Sequence, residues 1–164
     1  MSSRKNTSPT PAATLAPEPL AHRLAGLMID DAPPAGRSFT PDEARRTLPL
    51  VSRIAADAAA EWGRAKRLHD DLGALGRDGD RHERRRLSRR LVECVRRLES
   101  LSDEAASLGV DLSEYRTGSV TFLSEVAGRT VLLSWRLGED DVTHYHDLRE
   151  VADRRRPLTD LAAA

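Results

Sequence analysis

The chain has a single cysteine, six aromatic residues and no excess of charge of either sign. Because Cys94 has no second cysteine to pair with, an internal disulfide is excluded and a reducing compartment is expected. No apolar run approaches the roughly 18 residues that a membrane-spanning helix needs, so no membrane partner is expected. The 26 basic and 26 acidic residues cancel, which argues against a dedicated nucleic-acid binder. These shortages predict a soluble cytoplasmic protein.

The sequence also lacks the motifs of the large enzyme classes. It contains no phosphate-binding P-loop, no Gly-x-Gly-x-x-Gly, no Cys-x-x-Cys and no His-Glu-x-x-His. Neither Ser119 nor Ser134 lies in a nucleophile-elbow motif. We therefore leave the question of catalysis open and lean towards a protein that is not an enzyme.

Composition divides the chain into a leader, one domain and a short tail. Residues 1–37 are rich in Pro, Ser, Thr and Ala, and such a segment buries too little apolar surface to offset the entropy of ordering. We expect a disordered leader over 1–37, one α+β domain over 38–158 and a flexible tail over 159–164. Within the domain we expect a helical hairpin over 40–109 and a β-meander over 117–148.

Two amphipathic helices form the predicted antiparallel hairpin. Thr40 can cap the first helix and Glu43 completes a capping box, whereas Pro49 should kink that helix or split off its opening turns. In the second helix, from Arg81 to Leu108, apolar residues recur at alternating spacings of four and three, and Gly109 suits the left-handed C-cap. The apolar positions are Leu87, Leu91, Cys94 or Val95, Leu98, Leu101, Ala105 and Leu108.

Beyond Asp111 the apolar period changes to two, which indicates strands. The pattern predicts a three-stranded antiparallel meander that packs one apolar face on the hairpin. The alternating positions are Val120 and Phe122, then Val131, Leu133, Trp135 and Leu137, then Val142, His144 and His146.

His144 and His146 are the candidate metal ligands, with Glu139 or Asp147 as a carboxylate. Two residues apart on a strand, the two rings point to the same face. A four-residue turn would place Trp135 opposite His144 and both histidines on the apolar side, where a histidine is more often a core residue than a ligand. A divalent transition metal is therefore the alternative interpretation, with Glu139 and His146 as candidate catalytic residues.

Three further features have a structural interpretation that we favour. Trp135 is expected in the core, with ligand stacking as the alternative, and Glu139 is expected to be solvated or paired with Arg136 or one of Arg154 to Arg156.

Residues 81–97 carry eight arginines against two glutamates. We favour a solvated face that pairs with acidic neighbours over one that binds RNA or DNA. Cys94 is expected to be a buried thiol.

Four stretches of the chain, together covering about residues 39–158, resemble one prokaryotic family. They are FTPDEARRTLPL at 39–50, LGVDLSEYRTGSVTF at 108–122, GRTVLLSWRLGEDDVTHYHDL at 128–148 and RRRPL at 154–158. The resemblance is to the uncharacterised family known as domain of unknown function 2203. Its most specific pieces are the W-x-L-G-E turn, which ends at Glu139, and the following histidine, His146. The resemblance implies no activity.

The chain departs from that family pattern at three positions. Thr121 replaces an Asp, Ser134 replaces a Cys and Tyr145 replaces a Trp. The pattern also has an aromatic or apolar residue at position 144, which makes His146 the better site candidate of the two histidines.

We therefore expect an interaction or assembly module of unknown specific role, whose partner is a second copy of the chain, giving a homodimer, or another protein. A metal-binding protein or metal-dependent enzyme is the second hypothesis. A nucleic-acid-associated factor that uses the basic second helix is the third.

Overall fold

The computed structural model describes residues 36–76, 78–150 and 154–162. Helix α1 spans Pro41–Ala74 and helix α2 spans Arg81–Ser107. Strands follow at β1 (Val110–Glu114), β2 (Ser119–Val126), β3 (Arg129–Arg136), β4 (His144–Asp147) and β5 (Arg156–Pro157), and then a short helix α3 (Thr159–Ala162). None of the described helices is long and apolar enough to cross a membrane. The predicted leader over 1–37 lies almost wholly outside the described residues.

The helix boundaries follow the local chemistry that the sequence predicts. Thr40 accepts a hydrogen bond from the Glu43 amide at 3.2 Å while the Glu43 carboxylate accepts one from the Thr40 amide at 2.8 Å. This reciprocal capping box satisfies two amides at the start of α1. Helix α1 continues through Pro49, so its opening turns are not split off. Gly109 ends the hairpin with a φ of 79°, which glycine adopts without steric cost.

The predicted α+β architecture, a helical hairpin on an antiparallel meander, is confirmed, but the sheet has five strands rather than three. The strands follow one another in chain order, β1-β2-β3-β4-β5, and every neighbouring pair is antiparallel. Strands β1 and β5 extend the predicted meander at its two edges. They escape sequence inspection because β1 follows the C-cap glycine directly and β5 is only 2 residues long.

The C-terminal segment also differs from the expected flexible tail. Residues Thr159–Ala162 form the single turn of α3, and Leu161 is buried in the core. Leu158, just before α3, also packs against that core. The Leu161 amide donates to the Leu158 carbonyl at 3.1 Å, and this turn brings both side chains to the core.

Two apolar clusters hold the molecule together. The first joins the sheet to the N-terminal half of α1 and the C-terminal half of α2, and it includes Phe39, Leu98, Phe122 and Trp135. The second is formed by the helices alone, from Ala65, Leu68, Leu72, Leu87, Leu91, Cys94 and Val95. The far end of the hairpin, residues 65–95, is therefore an arm in which the two helices bury their apolar stripes against each other.

The register of β4 corrects the expected position of the two histidines. His144 pairs with Ser134, Tyr145 with Leu133 and His146 with Leu132. Tyr145 therefore joins Leu133 in the core, and both histidines lie on the outer face of the sheet, away from the helices. The connection spans residues 137–143 instead of the expected four, and a shift by one residue moves each side chain to the opposite face.

Candidate functional site

The turn after β3 is closed by its own acidic residue. Gly138 has a φ of 98°, and the Glu139 amide donates to the Arg136 carbonyl at 3.0 Å. The Glu139 carboxylate accepts a hydrogen bond from the Arg136 amide at 2.9 Å, and the indole Nε1 of Trp135 donates to the Glu139 carbonyl at 2.8 Å. The W-x-L-G-E segment is therefore a turn whose Trp and Glu fix each other's positions.

Arg155, the residue that precedes β5, binds the Glu139 carboxylate. Its Nη1 donates to Oε1 at 2.7 Å and its Nη2 to Oε2 at 2.6 Å, while Nη2 also donates to the Ser134 carbonyl at 3.1 Å. The side chain of Arg155 is 9% exposed and that of Glu139 is 29% exposed. This pairing is one of the alternatives that the sequence leaves open, and it links the turn to the RRRPL segment.

These contacts set the charge state of Glu139. Burial by itself would raise the pKa of the carboxyl, but the hydrogen bonds from Arg155 and from the Arg136 amide outweigh it, and the pKa is lowered. Glu139 is thus held as a carboxylate with both oxygens occupied. A general acid needs a proton near neutral pH, so this arrangement favours a structural role.

Trp135 lies in the core. Its side chain is 3% exposed, and it belongs to the cluster that joins the sheet to the helices. The structure therefore places the ring away from any surface on which a ligand could stack.

His146 is the most unusual polar group on the outer face. It is 4% exposed, its Nδ1 lies 3.1 Å from the Asp147 carbonyl, and its Nε2 is buried with no hydrogen-bond partner. Because a carbonyl only accepts, Nδ1 donates the hydrogen in this contact, and in the neutral form of the ring the lone pair is then on Nε2. His144 is half-buried, and its Nδ1 lies 2.9 Å from the Thr143 hydroxyl.

The described residues do not assemble a metal site around these histidines. They contain no group of three or more His, Cys, Asp or Glu side chains that could hold a metal ion. Glu139 is occupied by Arg155, and Asp147 is the register partner of Val131, a core residue, so it lies on the opposite face from the histidines. Hydrogen bonds from Arg156 hold the pKa of Asp147 below its usual range.

Two residues that depart from the family pattern, Thr121 and Ser134, lie side by side on the outer face of the sheet, the face that carries the histidines. Thr121 and Ser134 are partners in the β2–β3 register, and Ser134 is in turn the partner of His144. Both hydroxyl-bearing residues are buried. The Asp and Cys of the pattern are common metal-ligand types, whereas neutral hydroxyls are poorer ligands for a transition metal. This chain therefore has a weaker donor set here than the pattern offers.

The second helix carries a charged surface that differs from the one expected. Of its eight arginines between 81 and 97, Arg86 pairs with Glu83 at 2.5 Å, and Arg84 donates to the Gly76 carbonyl. Within the part of the chain that the structure describes, the other six have no carboxylate within 4.0 Å. All six are exposed: Arg81, Arg85, Arg89, Arg90, Arg96 and Arg97. We call these six residues, together with Arg86, the arginine face.

Two cations on the other helix of the hairpin do have acidic partners. On α1, Arg64 pairs with Glu61 at 3.1 Å and Lys66 pairs with Asp70 at 2.9 Å. The acids at these positions lie three or four residues from their partners, the spacing at which helix side chains meet. On α2 between 84 and 97, Glu93 is the sole acid. It stands three or four residues from four of the arginines, but in the described chain none of their nitrogens lies within 4.0 Å of its carboxylate.

The comparison with known families gives one match. Residues 37–158 match the family described as "Uncharacterized conserved protein (DUF2203)". No curated protein matches the chain, and neither does any solved structure. The match covers most of the chain, including the hairpin, the whole sheet and the Glu139–Arg155 pair. The chain therefore belongs to the DUF2203 family.

Proposed function

We propose that the protein is a binding module that holds nucleic acid through its phosphate backbone on the arginine face of α2. The observation that carries this proposal is the set of six exposed arginines without a carboxylate partner in the described chain. An isolated surface cation is ordinary, whether it is paired with an acid or solvated. Several arginines clustered on one face of a helix are instead typical of a phosphate-binding surface. The cytoplasmic location expected from the sequence is part of this proposal.

The surface chemistry favours a polyanion over a protein partner. Interfaces between proteins centre on buried apolar and aromatic anchors. The exposed large apolar side chains of the described residues are Leu50, Leu137 and Leu148, which lie on three different segments. The apolar stripes of the hairpin are buried against the sheet at one end and between the two helices at the other. The homodimer expected from the sequence stays a prediction, and the native mass in solution tests it.

The test is the salt dependence of binding to a fluorescein-labelled nucleic acid, followed by anisotropy between 50 and 200 mM salt. A protein that neutralises about five phosphates of a duplex shows a slope of about −4.5 in log affinity against log salt. Its affinity then falls roughly 500-fold over this fourfold range of salt. Replacing Arg85, Arg89 and Arg96 by Gln should reduce the slope to about −2.

The control lies on the other helix of the hairpin. Arg64→Gln combined with Lys66→Gln removes two cations instead of three, and each of these two already has an acidic partner. We expect this variant to keep most of the wild-type slope. Binding that does not respond to salt, or an equal loss in the two variants, would contradict the proposal.

A second candidate function is metal binding or proton transfer at His146, which the buried, unpartnered Nε2 favours. Metal-ligating histidines commonly donate their other ring N–H to a backbone carbonyl, and His146 makes such a contact with Asp147. A metal would need further donors beyond the two histidines.

Elemental analysis of untagged protein, beside a His146→Ala variant, tests this candidate. One transition metal per chain that disappears in the variant would support it. Absence of metal from both samples, after equilibration with excess Zn²⁺ and dialysis, would assign His146 to the packing of the sheet.

A further inference from the structure

The geometry points to double-stranded DNA as the ligand of the arginine face, an inference that rests on the proposed function. Three features of the molecule separate this ligand from single strands and from duplex RNA: the positions of the aromatic side chains, the arrangement of the arginines around α2, and the shape of the arm.

Every aromatic side chain of the protein is committed to the fold. The chain has two Phe, two Tyr and two Trp, and the structure describes all of them. Five are buried: Phe39, Tyr115, Phe122, Trp135 and Tyr145. The sixth, Trp62, is stacked on Tyr115 with ring centroids 6.4 Å apart. Proteins that bind single strands stack the bases on exposed aromatic rings. No aromatic ring belongs to the arginine face, so the stacking platform typical of single-strand binders is missing there, and the arginines contact mainly the sugar-phosphate backbone and base edges.

The arginines form two rows along α2. At about 100° per residue, Arg81, Arg85, Arg89 and Arg96 lie in one row and Arg86, Arg90 and Arg97 in the other. The first row points almost directly away from the apolar stripe, and the second lies roughly 115° further around the axis, on one flank of the helix. A helix whose cations point in two directions this far apart can reach the two phosphate strands that border one groove.

The shape of the arm suits the major groove of B-form DNA. An α-helix with its side chains is about 10–12 Å across, and that groove is about 12 Å wide. The apolar stripe of α2 packs on α1, so α1 lies behind α2 and leaves the arginine face clear. The major groove of duplex RNA is deep and narrow and does not admit a helix in this way.

One residue on this face opposes the interaction. Glu93 lies between the two rows of arginines and is exposed, and the described residues give it no cationic partner within 4.0 Å. Its carboxylate would lie close to the phosphates of a bound duplex and repel them. Replacing Glu93 by Gln should therefore tighten binding about threefold, the effect of one charge about 7 Å away in water.

The experiment measures the affinity of the full chain for three probes of matching sequence and length at about 100 mM salt: a 20-base-pair DNA duplex, one of its strands, and the RNA duplex. We expect the DNA duplex to bind at least tenfold more tightly than either other probe, and a duplex of scrambled sequence to bind equally well. Glu93→Gln should strengthen duplex binding, whereas Glu104→Gln, an exposed acid of α2 outside the arginine face, should leave it unchanged.

The outcomes separate the inference from the proposed function. If the single strand or the RNA duplex binds as tightly as the DNA duplex, or if Glu93→Gln leaves duplex binding unchanged, the choice of duplex DNA is wrong while nucleic-acid binding stands. If none of the probes binds in a salt-dependent manner, the proposed function itself is wrong and the inference falls with it.

Discussion

The contact between Glu139 and Arg155 should be a measurable determinant of stability. Arg155 makes two hydrogen bonds to the carboxylate and a third to the Ser134 carbonyl. We expect Arg155→Met to destabilise the fold by about 2–4 kcal/mol, because it removes two hydrogen bonds to the Glu139 carboxylate and one to the Ser134 carbonyl. It also leaves the negative charge of Glu139 without its guanidinium partner. Methionine retains part of the apolar stem of the arginine, so the loss reports mainly on the guanidinium.

A double-mutant cycle isolates the pair itself. Exposed ion pairs couple by about 0–1 kcal/mol, and breaking a fully buried one costs about 3–5 kcal/mol. With Arg155 at 9% and Glu139 at 29% side-chain exposure, we expect a coupling energy of about 1–3 kcal/mol between Arg155→Met and Glu139→Gln. The control cycle uses Lys66 and Asp70, which are 62% and 58% exposed, and should give about 0.3–0.5 kcal/mol.

Urea denaturation followed by far-ultraviolet circular dichroism supplies the free energies of unfolding. The pKa of Glu139 is lowered in the folded protein, so its stabilisation is present above the unfolded value near 4.5 and is lost as the pH falls through the folded pKa. The stability difference between wild type and Glu139→Gln should therefore shrink as the pH falls below about 4.5. A coupling energy no larger than that of the control pair would refute the assignment of Glu139 as a structural anchor.

Two further predictions concern buried side chains. Trp135→Ala should cost about 3–5 kcal/mol in urea denaturation, as expected for a large side chain that is 3% exposed; an unchanged free energy would place the ring outside the core. Burial, together with a hydrogen bond to Glu61, raises the pKa of the Cys94 thiol to about 11. A thiol reagent at pH 8 should therefore modify the folded protein about a hundredfold more slowly than the urea-unfolded chain; equal rates would show that Cys94 is accessible.

Local chemistry made the helices and the core strands predictable from sequence. The start of α1 is set by a capping box and the end of α2 by a C-cap glycine, and both signals are contained within a few neighbouring residues. The alternation of apolar residues at every second position of β2 and β3 similarly indicates which face of each strand is buried. The β3–β4 register was mispredicted because it depends on loop length, and residues 137–143 contain no turn signal that fixes that length.

The candidate site was only partly predictable for a related reason. The sequence identifies Glu139 and His146 as unusual, but their partners lie elsewhere in the chain or in the backbone. Arg155 is 16 residues from Glu139 and stands among three consecutive arginines, so only the pairing of β5 with β4 decides which one reaches the carboxylate. The face of the sheet on which His146 lies, and therefore its surroundings, depends on a strand register that the sequence does not fix. In contrast, the run of arginines on α2 is evident from the sequence. That most of these arginines form no ion pair with an acidic residue is evident only from the structure.

The two groups of charged residues considered as sites, the carboxylates of the sheet and the arginines of α2, differ in whether they are paired. At the sheet, Glu139 and Asp147 are each held by an arginine, so these groups have completed their interactions within the fold. On the arm, the exposed arginines of α2 have no such partners among the described residues. A charged group that is already paired and partly buried must give up its partner before it can bind a ligand, whereas a solvated arginine loses only water and counterions. Since counterion release favours binding to a polyanion, the arm is the part of the molecule where ligand binding carries the smaller cost.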